Sequence, residues 1–161
     1  MISLLRDVFG YLDHLRVQDP LAKHIQYPKL PSLLSESIVL NSLKEGALLP
    51  ELATASFAFG GRRADIMAQL PDGNEQTIEV KATGKSAFQY FGKKDIGCDF
   101  LVWVNFGTYF HARETQPVEA CVIHQPSRYF RQPLKVTLAK VKSEVPVLQT
   151  CQIEIGIDQT Q

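Results

Sequence analysis

Apolar side chains recur at Leu5, Val8, Phe9, Leu12 and Leu15, close to the spacing of one helix face, and predict a helix over residues 2–17. Asp19-Pro20 ends it, because the residue before a proline is pushed out of the helical region. Residues 20–31 hold three prolines and read as a connector. A second helix starts near Ser32, a fair N-cap, and stops at Gly46. The period then changes from helical to strand-like. Residues 54–59, 63–70 and 74–82 predict three strands, the last two joined by Pro71-Asp72-Gly73. Residues 85–97 read as a helix interrupted by Gly92. Phe100-Leu101-Val102-Trp103-Val104 is the unbroken apolar run of a central buried strand, and 118–123 is another strand. Further on, Gln152-Ile153-Glu154-Ile155-Gly156-Ile157 alternates like an edge strand. The order α, α, β, β, β, α, β, β predicts an α/β sheet with helices packed on it.

A chain of 161 residues fits one domain. Its core is expected over about 32–125, with an N-terminal helix (1–19) and a C-terminal extension (127–161) on either side. Composition adds little: 45% hydrophobic and 21% charged residues are those of a globular protein. No apolar run is long enough to span a bilayer, so no membrane partner is expected. Asp7 sits where a secretory apolar region should begin, which argues against a signal peptide. The odd count of three widely spaced cysteines argues against a disulfide framework and for a cytoplasmic location. Cys121 and His124 form a lone C-x2-H; without a second pair, two core residues are the simpler reading than a zinc site. A net charge of zero argues against bulk electrostatic binding of nucleic acid but leaves room for a local basic patch.

The hairpin carries the chemistry. Pro71-Asp72-Gly73 suits a three-residue loop, with proline at the first turn position and glycine in the left-handed bulge. That loop pairs Leu70 with Asn74, so Asp65 lies opposite Glu79 and Arg63 opposite Lys81. Opposed residues share a face, whereas a loop one residue longer would put Asp65 and Glu79 on opposite faces. The other face is apolar: Ala64, Ile66 and Ala68 against Ile78 and Val80. Two facing carboxylates repel unless something positive sits between them. A divalent cation with oxygen ligands is the usual answer, and Mg²⁺ commonly takes one or two carboxylates together with water and substrate phosphate. A neighbouring lysine can orient an attacking water or stabilise charge on a phosphoryl group, so the set suits phosphodiester hydrolysis. The alternative is a solvated surface, with Arg63 and Lys81 forming salt bridges to the two acids. Glu36 weighs toward chemistry, since it falls mid-arc among Leu33, Leu40, Leu43 and Ala47, where an unpaired charge is costly. Its first-turn position also favours the helix dipole.

Helix with Glu36, then Asp65, thirteen intervening residues, then Glu79-Val80-Lys81, resembles the PD-(D/E)XK nuclease superfamily over about 32–104. This superfamily includes restriction endonucleases and Holliday junction resolvases. Ala64 stands where the motif name has proline. The resemblance implies a restriction-endonuclease-like mixed central sheet flanked by helices, with an αβββαβ core. It implies a DNA endonuclease dependent on Mg²⁺, with Mn²⁺ as a substitute. Asp65, Glu79 and the Val80 carbonyl would be metal ligands, Lys81 the catalytic lysine and Glu36 the helix acid. Gln89 matches a polar residue on the helix after the lysine strand, although Ser86-x-x-Gln89 also reads as a capping box. Arg63 would touch a phosphate or neutralise the acids.

DNA contacts are expected from Lys85, Lys93 and Lys94. Others are expected from the acid-free stretch between Cys121 and Ser143, where Arg128 and Arg131 flank Tyr129 and Phe130. The alternative for such a run is a solvated face. A homodimer would suit the cutting of two strands. Two other readings stand beside a restriction-type nuclease: a junction resolvase, and a non-catalytic nucleic-acid-binding or assembly module. No nucleophile elbow, P-loop or dinucleotide fingerprint is present.

Overall fold

The structure is a computed structural model that describes residues 1–60, 64–84, 88–112 and 116–155. Helix α1 (Ile2–Gln18) ends at Asp19, whose carboxylate accepts from the Leu21 N–H of a 3₁₀ turn, Pro20–His24. Helix α2 (Ser32–Lys44) follows; Pro31 rather than Ser32 is its N-cap, and Gly46 takes the left-handed conformation just past its end. Strands β1 (Thr54–Phe57), β2 (Ile66–Gln69) and β3 (Glu75–Thr83) come next. The expected helix over 85–97 is absent from the described part of that stretch. Phe88–Phe91 forms strand β4 and Lys93–Ile96 the one-turn helix α3, N-capped by Gly92. Three aromatic rings in four residues favour the extended form, and Gly92 separates the two elements. Then come β5 (Phe100–Asn105), β6 (Val118–His124), a 3₁₀ turn (Pro126–Arg128), β7 (Leu134–Thr137), helix α4 (Leu138–Glu144) and β8 (Gln149–Ile153).

The fold is mixed α/β. Six strands form a mostly antiparallel sheet in the order β1-β2-β3-β5-β6-β8, and β4 and β7 form a separate antiparallel ribbon. Among the described strands only β3 and β5 pair in parallel, with β4 and α3 in the connection between them. The β2–β3 register is the one the turn chemistry predicts: Ile66 faces Ile78 and Gln69 faces Glu75. Leu70 N–H donates to Asn74 at 3.0 Å, and Gly73 adopts φ +87°.

Strand alternation sorts the sheet into two faces. Ile78, Val80, Phe100, Val102 and Val104 join α2 and Phe9 of α1 in one core. Leu101, Trp103, Cys121 and Ile123 join Phe91, Ile96, Val136, Leu138 and Val141 in another. Residues 127–155 contribute to both cores: Val136, Leu138, Val141, Ile153 and Ile155 are buried, and β8 is an edge strand of the main sheet.

Candidate active site

Asp65 directly precedes β2, and Glu79 and Lys81 lie on β3. Glu79 and Lys81 pair with Leu101 and Trp103, so they face the second core and not α2. The charged face is consequently not a solvated surface: Glu79 is 1% exposed, beneath α3. Asp65 turns back on the strand, its Oδ2 accepting from Val80 N–H at 2.9 Å. Strand residues present N–H and C=O to the same edge, so the Val80 carbonyl also points to the side where β2 has ended.

Helix α3 supplies counter-ions. Lys94 Nζ sits 2.9 Å from Asp65 Oδ1 and 3.0 Å from Glu79 Oε1. The contact with Asp65 is a hydrogen bond, whereas Glu79 Oε1 is buried without one. Asp95 holds Lys81 at 2.9 Å by Oδ1, and its Oδ2 accepts from Gly92 N–H at 2.7 Å, which fixes the turn. Three carboxylates thus face two ammonium groups. Burial, followed by the charges of Asp65 and Asp95, pushes the Glu79 carboxyl up to about 7 against the pull of Lys94. Burial alone would lower the Lys94 ammonium; its hydrogen bond to Asp65 and its ion pair with Glu79 outweigh that and hold it above its ordinary value. The Cys98 thiol, buried beside this cluster and donating to the Asp95 carbonyl at 3.1 Å, is pushed up to about 12 by desolvation.

Asp65 and Glu79 thus meet at Lys94, Val80 N–H bonds Asp65, and Lys81 lies on the same face of β3 with its ammonium held by Asp95. Lys94, expected on DNA, is instead bound to the carboxylate pair. Asp95 had no signal in the sequence beyond being an acid in a predicted helix. Glu36 is not brought to the site. α2 packs on the other face of β3, and Glu36, half-buried, has no hydrogen bond or ion pair with any described residue. The buried face of α2 is also rotated from the expected arc: Leu33 is 54% exposed, while Leu34, Ser35, Ile38, Val39 and Ser42 are buried. The two serines satisfy themselves within the helix, Ser35 Oγ donating to Ser32 O and Ser42 Oγ to Ile38 O. Gln89 lies on β4, not on a helix, and donates to the Ala82 carbonyl at the end of β3. Arg63 and Lys85 lie outside the described residues.

Among the expected DNA contacts, Lys93, Arg128 and Arg131 are exposed, and the 3₁₀ turn bearing Arg128 packs against α3. Phe130 is buried, edge-on to Phe91, and unavailable for stacking. Lys140 and Lys142 are paired with Glu144 and Glu119. Cys121 and His124 occupy opposite faces of β6: Cys121 is in the second core, and His124 stacks on Phe100 of the first. All three cysteines are free.

A resident divalent cation fits the donor set. Two carboxylates converge on one cationic group, and one of their oxygens is buried without a hydrogen bond. Among the described residues no three His, Cys, Asp or Glu side chains gather into a complete cage, so carbonyl and water would supply the remaining ligands. Comparison of the chain with family models, curated proteins and solved structures finds no match. Among the described residues no helix is long and apolar enough to cross a membrane.

Proposed function

We propose that the protein is a metal-dependent DNA endonuclease of the restriction-endonuclease-like, PD-(D/E)XK kind. The observation that carries this reading is the convergence of Asp65 and buried Glu79 on a single cation, with Lys81 on the same face of the same strand. An acid buried to this degree is expensive unless paired or functional, and a solvated salt-bridge surface does not bury it. Asp65, Glu79 and the Val80 carbonyl would hold Mg²⁺, or Mn²⁺ in its place. When bound, the cation supplies Lewis-acid polarisation of the phosphate and of an attacking water. Lys81, oriented by Asp95, positions that water or stabilises charge on the phosphoryl oxygens. With that cation bound, Lys94 would give up its place between the carboxylates and, from its half-exposed position on α3, could reach a phosphate. Exposed Lys93 and Arg128 extend the positive surface beside it. A cytoplasmic location and a homodimer belong to the same reading.

One observation favours a second reading, a non-catalytic nucleic-acid-binding or assembly module: Lys94 already neutralises the pair without a metal. The test is incubation of supercoiled plasmid and of a four-way junction with the pure protein in Mg²⁺, Mn²⁺ or EDTA, beside Lys81→Ala. Cutting that needs metal and falls at least about 100-fold in the variant, with an unchanged melting curve, is the expected result. Preference for the junction would mark a resolvase. No cutting of either DNA would favour the binding module.

A further inference from the structure

A groove of about 890 Å³ opens at the end of β3, its lining including Tyr27, Lys29, Thr83, Phe88, Tyr90 and His111. Among the described residues no acid lines it, the nearest being Asp13, whose carboxylate is taken up by Tyr27 and His111. Phe88 and Tyr90 are two apart on β4 and therefore on one face of the β4–β7 ribbon; the opposite face buries Phe91 and Val136. The two residues are 47% and 60% exposed, although burying either would be favourable. Along a strand they stand about 7 Å apart, twice the spacing of stacked bases. Lys135 pairs across the ribbon with Tyr90, and its ammonium lies 3.8 Å from the centre of the Phe88 ring. Neither Lys29 nor Lys135 has an acidic partner among the described residues. Exposed rings interleaved with unneutralised cations are what a strand of unpaired nucleotides needs: faces for its bases and charge for its phosphates. A duplex cannot use the rings, because its bases are already stacked on each other.

The groove is also in the right place. Thr83 follows Lys81 by two residues and Glu79 by four on the same strand, about 7 Å and 13 Å at ordinary strand rise. Resting on the nuclease reading, we propose that this groove holds unpaired nucleotides next to the phosphate presented to Asp65, Glu79 and Lys81, so that the substrate contains a single-stranded segment.

Fluorescence anisotropy in EDTA tests the groove separately from the chemistry. The probes are a labelled 15-nucleotide DNA strand, its RNA counterpart, the same DNA length made of abasic sites, and a blunt duplex. The intact strand should bind at least about ten-fold tighter than the abasic strand or the duplex, and Tyr90→Ala and Phe88→Ala should each lose about 5- to 100-fold. The tighter of the DNA and RNA strands identifies the sugar. Both variants remove exposed rings, and a melting scan verifies that they fold. Equal binding of intact and abasic strands, or variants that bind like the wild type, would overturn the proposal. Plasmid cutting in Mg²⁺ without base-dependent binding would sink the groove and leave the nuclease. Base-dependent binding without cutting of the bound strand, of plasmid or of junction in any metal would keep the groove and sink the nuclease.

Discussion

Glu79 has almost no water and, among the described residues, shares its cation Lys94 with Asp65. Its folded carboxyl titrates near 7 instead of 4.5, so between those values the unfolded chain has released a proton that the folded protein still holds. Stability should therefore fall as pH rises from about 4.5 to about 7 and level off above, a loss of up to about 3 kcal/mol from this group. Urea denaturation at several pH values should show that slope in the wild type and not in Glu79→Gln; equal slopes would refute it. Lys94 offers the complementary experiment. Lys94→Met leaves two carboxylates facing without a counter-ion, so the metal-free protein should melt lower while Mn²⁺ binds about ten-fold tighter by calorimetry. Unchanged Mn²⁺ affinity would mean that Lys94 does not occupy the cation's place. The two acids and Lys81 were legible because a period of two and one turn settle which side chains share a face. Lys94 and Asp95 were not, because a single turn of helix has no pattern of its own and takes its place from the sheet beneath. Glu36 was misplaced because Ser35 and Ser42 look polar in sequence yet hydrogen-bond within their own helix and go inward.

At the scale of elements, the β2–β3 hairpin was the most readable part of the chain. Proline, aspartate and glycine in that order leave little choice of turn, and Asp72 also accepts from Asn74 N–H at 3.0 Å. Gly73 bears the conformational demand, with φ +87° and nothing within 4 Å of where a β-carbon would go. Gly73→Ala should thus cost backbone strain alone, about 1–2 kcal/mol, and lower the melting midpoint by about 2–8 °C without changing Mn²⁺ affinity. An unshifted midpoint would show that the loop relaxes out of this turn. The stretch expected as one helix over 85–97 failed for a reason of the same kind. Its lysines suit a helix, but Phe88, Tyr90 and Phe91 pair with β7, a partner almost fifty residues further on that no local window contains.

For the whole molecule, the unbroken apolar run of β5 foretold a central strand covered on both faces, and the structure has one core on each. What could not be read was which side the last third of the chain would cover. β7 and α4 lie over the face that carries Glu79, not over the face that carries α2. Helix α3 reaches the carboxylates because it is backed by the Pro126–Arg128 turn and by β4, and β4 is itself held by β7. The order of synthesis gives this arrangement a meaning in time. Asp65, Glu79 and Lys81 leave the ribosome well before the residues that roof them, and until those arrive Glu79 is an ordinary wet carboxylate with an ordinary affinity for protons. For most of its making the nascent chain thus carries these groups in water, and the cluster acquires its character only when the later strands and helices close over it.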